Sequence, residues 1–137
     1  MDILYVNAGK NKIGNDLLGI LHTHIGNKNI RIYGDILDFS KILRQNQQEI
    51  TIVVIFIADE EDLLKLYIIK HLLHSVITIL ILPDRERDTI ALGFRCKPYF
   101  VTFINNDMNE IVHTIRALIQ QPFRSTIYSA NKELQAA

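Results

Sequence analysis

The segment from Asn7 to Gly14 is the first place where residue types and spacing suggest chemistry. It is small and rich in amides, and it lies between a predicted strand and a predicted helix, where backbone N–H groups bind phosphates. An anion-binding loop here would use four residues: Gly9, Lys10, Lys12 and Gly14. Because the spacing matches neither the Walker A pattern nor G-x-G-x-x-G, a nucleotide or anion site and a plain loop both stay open.

The remaining reactive side chains carry weaker signals. His71 and His74 are three residues apart and could share a helix face, but a metal site would need further ligands that we do not identify. Cys96 lies beside Lys97, whose charge could lower the thiol pKa, yet no general base accompanies it. No G-x-S-x-G motif occurs. We therefore expect no catalytic residue, no metal site and no enzymatic activity.

Composition favours one globular domain without nucleic-acid or membrane partners. The 137 residues are 48% hydrophobic, and 15 basic residues balance 15 acidic ones, so no net charge attracts nucleic acid. No secretory signal is recognisable, and the longest apolar run, residues 52–58, is far shorter than the roughly 20 residues of a membrane span. A single cysteine fits a reducing compartment. The expected location is cytoplasmic.

Five apolar segments alternate with five helical patterns along the chain. The predicted strands are residues 3–6, 30–33, 50–58, 76–82 and 99–104. Such alternation with short connections predicts an α/β fold, a (βα)5 flavodoxin-like doubly wound parallel sheet with strand order 2-1-3-4-5. Ligands of these folds bind at the carboxyl ends of the strands. We assign residues 1–121 to this domain and residues 122–137 to a tail or the start of a linker helix to a possible downstream domain.

Helix boundaries follow from capping residues. Asn15 and Asp16 are predicted to cap the first helix, and Asp35 the second. The acidic run of residues 59–62 suits the positive N-terminus of the third helix, which is expected to extend to Leu73.

The sequence pattern predicts the fourth helix weakly and the fifth helix strongly. The fourth is predicted over residues 85–92 and ends at Gly93. The fifth follows Asp107 and Glu110, which have capping-box spacing.

Over residues 1–120 the chain resembles the receiver domain of two-component response regulators. The resemblance lies in the element order and in Ile90-Ala91-Leu92-Gly93, followed by a strand and a last helix. In that family two acidic residues after strand one hold Mg²⁺ and an aspartate ending strand three accepts a phosphoryl group. A serine or threonine ends strand four, and a lysine ends strand five; cations offset the negative charge that gathers during transfer.

The sequence departs from this pattern at most positions. Asn7 and Ala8 stand where the acidic pair is expected, and Pro83 follows strand four in place of a hydroxyl. Strand five carries Thr102 and no lysine. Asp59 is the one candidate phosphoacceptor, and it comes late after strand three. The resemblance therefore implies a pseudo-receiver whose phosphorylation pocket is largely lost, without Mg²⁺ or another cofactor.

The implied function is non-catalytic signal transduction, in which the domain regulates an attached or partner effector through protein–protein contacts. In receivers the face formed by helix four, strand five and helix five commonly carries output, which here corresponds to residues 90–118 and could also form a homodimer. Two alternatives stay open. One is a domain that binds a nucleotide or anion at residues 7–14, and the other is an atypical receiver phosphorylated on Asp59, with Glu60 or Glu61 as substitute metal ligands.

Overall fold

A computed structural model of the chain describes residues 2–8, 11–25, 30–45 and 50–120. Five parallel strands form one sheet in the order β2-β1-β3-β4-β5, which confirms the predicted fold. The strands are β1 (Asp2–Asn7), β2 (Ile30–Tyr33), β3 (Ile50–Phe56), β4 (Ile77–Leu82) and β5 (Phe100–Phe103). The helices are α1 (Lys12–Ile25), α2 (Ile36–Gln45), α3 (Glu60–Ile68), α4 (Arg87–Arg95) and α5 (Met108–Gln120).

Helices cover both faces of the sheet, so its central strands are buried on both sides. β3 lies in the middle and pairs with β1 and β4 in parallel register. Alternate residues of β3 enter two separate cores: Val53 and Ile55 pack in the core under α2, α3 and α4, while Ile52 and Val54 pack under α1 and α5. This double burial explains why the segment has apolar residues at successive positions rather than alternating ones.

The first helix begins earlier than the sequence predicts. α1 starts at Lys12, and the Asn11 side chain caps it by accepting a hydrogen bond from the Ile13 N–H at 2.8 Å. The predicted caps at Asn15 and Asp16 are therefore wrong, because both residues lie within the helix. Apolar periodicity becomes visible only from Leu17 onward, since the first turn contacts polar groups instead of the core.

Two further helix ends differ from expectation. α4 continues to Arg95, so Gly93 does not terminate it. Gly93 is buried inside the helix, where a Cβ would lie 3.0 Å from a methyl of Leu82; the residue with positive φ after the helix is Lys97. α3 ends at Ile68, and a short 3₁₀ helix, Lys70–Leu73, replaces its predicted last turn.

Three predicted caps are confirmed. The carboxylates of Asp35, Asp59 and Asp107 each accept a backbone N–H from the first turn of α2, α3 and α5, at 2.9, 2.9 and 2.8 Å. Within the described ranges, no helix is both long and apolar enough to span a bilayer. The predicted tail, residues 122–137, lies outside the described residues.

Candidate functional site

Asn7 is the last residue of β1, and its side-chain amide is hydrogen-bonded within the chain. It pairs in register with Phe56, the last residue of β3, and only 2% of it is exposed. Its Oδ1 accepts the Asn11 N–H at 3.1 Å, while its Nδ2 donates to the Asn11 carbonyl and to Asn15 Oδ1, each at 2.8 Å. Both amide hydrogens are thus used within the chain. Asn7 therefore ties the end of β1 to the start of α1.

Tyr5 and Gly14 complete this connection. The Tyr5 hydroxyl donates a 2.7 Å hydrogen bond to the Gly14 carbonyl, and burial raises the pKa of the phenol well above its ordinary value. Gly14 is buried in the first turn of α1, where a Cβ would overlap the Asn7 amide. The sequence therefore needs glycine here because a helix packs directly on a polar side chain, and not because the backbone turns.

The residues predicted to form one anion-binding loop do not all lie in a loop. Lys12 is exposed at the first position of α1, and Gly14 is a helical residue rather than a loop residue. Ala8 is buried in the core that contains Val6 and Ile55. Gly9 and Lys10 lie outside the described residues, so the loop itself stays a prediction.

Asp59 lies three residues beyond the end of β3 and is exposed. Its carboxylate accepts the Asp62 N–H at the start of α3. Burial, followed by the neighbouring Asp59 charge, raises the pKa of the Asp62 carboxyl, and Lys65 lowers it by a smaller amount. Lys65 also lies 3.7 Å from Glu61. The acidic run thus stabilises a helix start, and a phosphoacceptor role for Asp59 stays a prediction.

Arg85 and Asn106 form a link that the sequence interpretation missed. Arg85 Nη2 donates to Asn106 Oδ1 at 2.6 Å, and Asn106 Nδ2 donates to the buried Thr102 hydroxyl at 2.9 Å. The Arg85 guanidinium also lies 4.1 Å over the ring of Phe103. One cation is thereby held beside β5, and the Thr102 hydroxyl is engaged. Only the topology could have indicated this link in advance. Arg85 follows β4 and Asn106 follows β5, and these adjacent parallel strands end at the same edge of the sheet.

Pro83 directly follows β4 and is half-buried, so it offers no side-chain donor or acceptor where a receiver has a hydroxyl.

Cys96 and the pair His71 and His74 are the remaining candidate side chains. Burial raises the pKa of the Cys96 thiol to about 11, outweighing the lowering by Lys70, which is typical of a buried, unreactive cysteine. His74 Nδ1 lies 2.8 Å from the His71 carbonyl. Among the described residues, no three His, Cys, Asp or Glu side chains form a metal-binding group.

No protein-family model matches this sequence, and no curated protein matches it. One solved structure is similar: a "Putative pilus assembly-related protein" from Burkholderia pseudomallei, with a TM-score of 0.61 and 14% sequence identity. The match covers 85% of this chain and 87% of the other. At this identity the likeness shows a shared fold and nothing finer.

Proposed function

We propose that this chain is a non-catalytic, receiver-like signalling domain that regulates an attached or partner effector in the cytoplasm through protein–protein contacts. One observation carries the proposal. The neutral amide of Asn7, buried and with both N–H groups donated inside the chain, stands where a receiver binds Mg²⁺ through carboxylates. Without that ion, the charge on a transferring phosphoryl group would lack its main counter-charge.

The other strand ends support the same function. The uncharged Thr102 is hydrogen-bonded to Asn106, and the Arg85 guanidinium is hydrogen-bonded to Asn106 and stacked on Phe103. These two contacts hold the Arg85 guanidinium beside β5. Among the described residues, the uncharged side chains of Asn7 and Thr102 at these strand ends support a scaffold without phosphoryl chemistry.

The contact face that we propose lies on α4 and β5. Phe94 on α4 is 59% exposed, and Val101 and Phe103 on the edge strand β5 are half-buried. A large aromatic side chain exposed beside a partly covered sheet edge is suited to bury against a protein surface. The similar structure is described as pilus assembly-related, so a component of such an assembly is one partner class to test.

Phosphorylation provides the first test. The full chain is incubated with acetyl phosphate and Mg²⁺, beside a phosphorylatable receiver as positive control, and its intact mass is measured. We expect no phosphoryl addition in the wild type or in Asp59→Asn. A phosphoryl mass on the wild type that Asp59→Asn abolishes would contradict the proposal and identify an atypical receiver.

Thermal unfolding with a panel of nucleotides and anions tests the ligand-binding alternative. A ligand present at a hundred times its dissociation constant stabilises the fold by about 2.7 kcal/mol, which is readily measured. We expect no shift with any of them. A shift that Lys12→Ala removes would replace the signalling proposal with a binding function at residues 7–14.

A further inference from the structure

Two large apolar side chains on α3 face solvent together. Leu64 is 46% exposed and Ile68 is 73% exposed, the highest value among the large hydrophobic residues described. They are four residues apart, so they lie on one face of the helix. The opposite face is already used, because Leu63 and Leu66 are fully buried in the core. Core packing therefore does not account for this exposed pair.

Acidic side chains flank the apolar pair at one end, and a histidine and a lysine lie at the other. Glu60 and Glu61 are exposed at the N-terminal end of α3, and His71 is exposed just beyond its C-terminal end. Lys70 adds a positive charge at that end, with its ammonium 4.2 Å over the Tyr67 ring. We call the residues Glu60, Leu64 and Ile68 the α3 stripe. Their spacing of four residues follows one face of the helix, and Lys70 and His71 lie just beyond it in the 3₁₀ helix.

We propose that the α3 stripe binds the α3 stripe of a second copy of this chain, with the two helices antiparallel about a two-fold axis that passes between Leu64 and Ile68 on the exposed face. In that arrangement Leu64 of each copy meets Ile68 of the other. The acidic end of each stripe meets the end that carries Lys70 and His71. A parallel arrangement would instead place Glu60 against Glu60, so the charge pattern selects the antiparallel one.

The size of the stripe sets the strength of this association. α3 has nine residues and is about 13 Å long, so the contact is smaller than the roughly 1,600 Å² of a standard interface. The dimer is therefore weak, and salt weakens it further because its charges are exposed.

Sedimentation velocity of the full 137-residue chain tests the proposal, from about 10 µM to about 1 mM at low and high salt. We expect concentration-dependent dimerisation that salt reduces and that Ile68→Asp weakens at least about tenfold. Leu37→Asp is the matched control, since it places the same charge on an exposed apolar site of another helix, α2. Circular dichroism establishes that both variants fold. A monomer at every concentration, or an Ile68→Asp variant that associates like the wild type, overturns the proposal.

Charge exchange tests the antiparallel geometry. Glu60→Lys alone and His71→Glu alone are each expected to weaken the dimer severalfold, because each places like charges opposite one another. The double variant restores opposite charges and should associate about as well as the wild type. If the two effects add instead of cancelling, the antiparallel stripe is wrong. If Phe94→Asp is the variant that abolishes association, the interface lies on α4 and β5 instead.

Discussion

The Asn7 side chain fills the space in which a Cβ of residue 14 would stand. A Cβ at Gly14 would overlap the Asn7 Oδ1 and would lie 2.9 Å from its Nδ2. Asn7 in turn holds Asn11 and Asn15 through the same amide. A strand end and a helix start are therefore joined by one close polar contact, at the edge of the sheet where this fold class binds ligands.

Replacing Gly14 with alanine should destabilise the protein, although alanine is the better helix former. The added methyl must displace the Asn7 amide and its hydrogen bonds, at an expected cost of about 1–3 kcal/mol in the free energy of unfolding. Urea denaturation measures the change. Gly19→Ala is the control, because nothing lies within 4 Å of its Cβ position in the same helix; there we expect stabilisation by about 0.5–1 kcal/mol.

Asn7→Asp restores the residue type that a receiver would have, and we expect it to destabilise this protein. Both Nδ2 donors would be replaced by an oxygen that faces two acceptors, the Asn11 carbonyl and Asn15 Oδ1. The loss should be about 2–3 kcal/mol at pH 7. Asn15→Asp is the matched control, since its Oδ1 is already an acceptor, and its effect should be a few tenths of a kcal/mol.

The pH dependence of Asn7→Asp follows from the same contacts. Burial and the facing acceptors favour the protonated form, so the pKa of the introduced carboxyl is raised in the folded state. The free energy of unfolding of the variant is therefore lowest relative to the wild type above the folded pKa of the carboxyl. This difference shrinks as pH falls through that pKa. Urea unfolding at pH 7 and pH 4.5 should show this recovery. A deficit that grows on acidification would contradict the assigned hydrogen bonds.

The strand order and the strand positions could be predicted because they depend on local apolar runs and simple topology rules. The start of α1 could not, since it is decided by the contact between Asn7 and Asn11 rather than by periodicity. Gly93 was misleading for a related reason: glycine usually ends helices, whereas here its small size lets α4 approach Leu82. The bond from Arg85 to Asn106 spans 21 residues and becomes evident only when two strand ends are side by side.

Ionisation of the Tyr5 phenol should lower the free energy of unfolding at alkaline pH. Its folded pKa is raised by burial, so the stability that the neutral phenol contributes is present below its unfolded pKa of about 10 and is lost as pH rises above that value. Tyr5→Phe should cost about 1 kcal/mol at pH 8 through the lost bond to Gly14, and should show a shallower decline above pH 10. Urea unfolding across pH 8 to 11 measures both. Tyr33→Phe, at a half-buried tyrosine on β2, is the comparison.

Asp59 offers a way to separate capping from phosphoryl chemistry at one position. Asp59→Ala removes the acceptor for the Asp62 N–H, and we expect the free energy of unfolding to fall by about 1 kcal/mol. Asp59→Asn keeps an acceptor oxygen and removes a carboxylate that raises the pKa of Asp62, so its stability should match the wild type within a few tenths of a kcal/mol.

These two substitutions also determine how a labelling experiment is interpreted. If Asp59 only caps α3, acetyl phosphate leaves the mass of the wild type and both variants unchanged while their stabilities differ as predicted. If Asp59 accepts a phosphoryl group, the wild type gains mass and Asp59→Asn, which keeps the helix start intact, does not. Because the cap is preserved in that variant, a loss of labelling would report on chemistry and not on unfolding of α3.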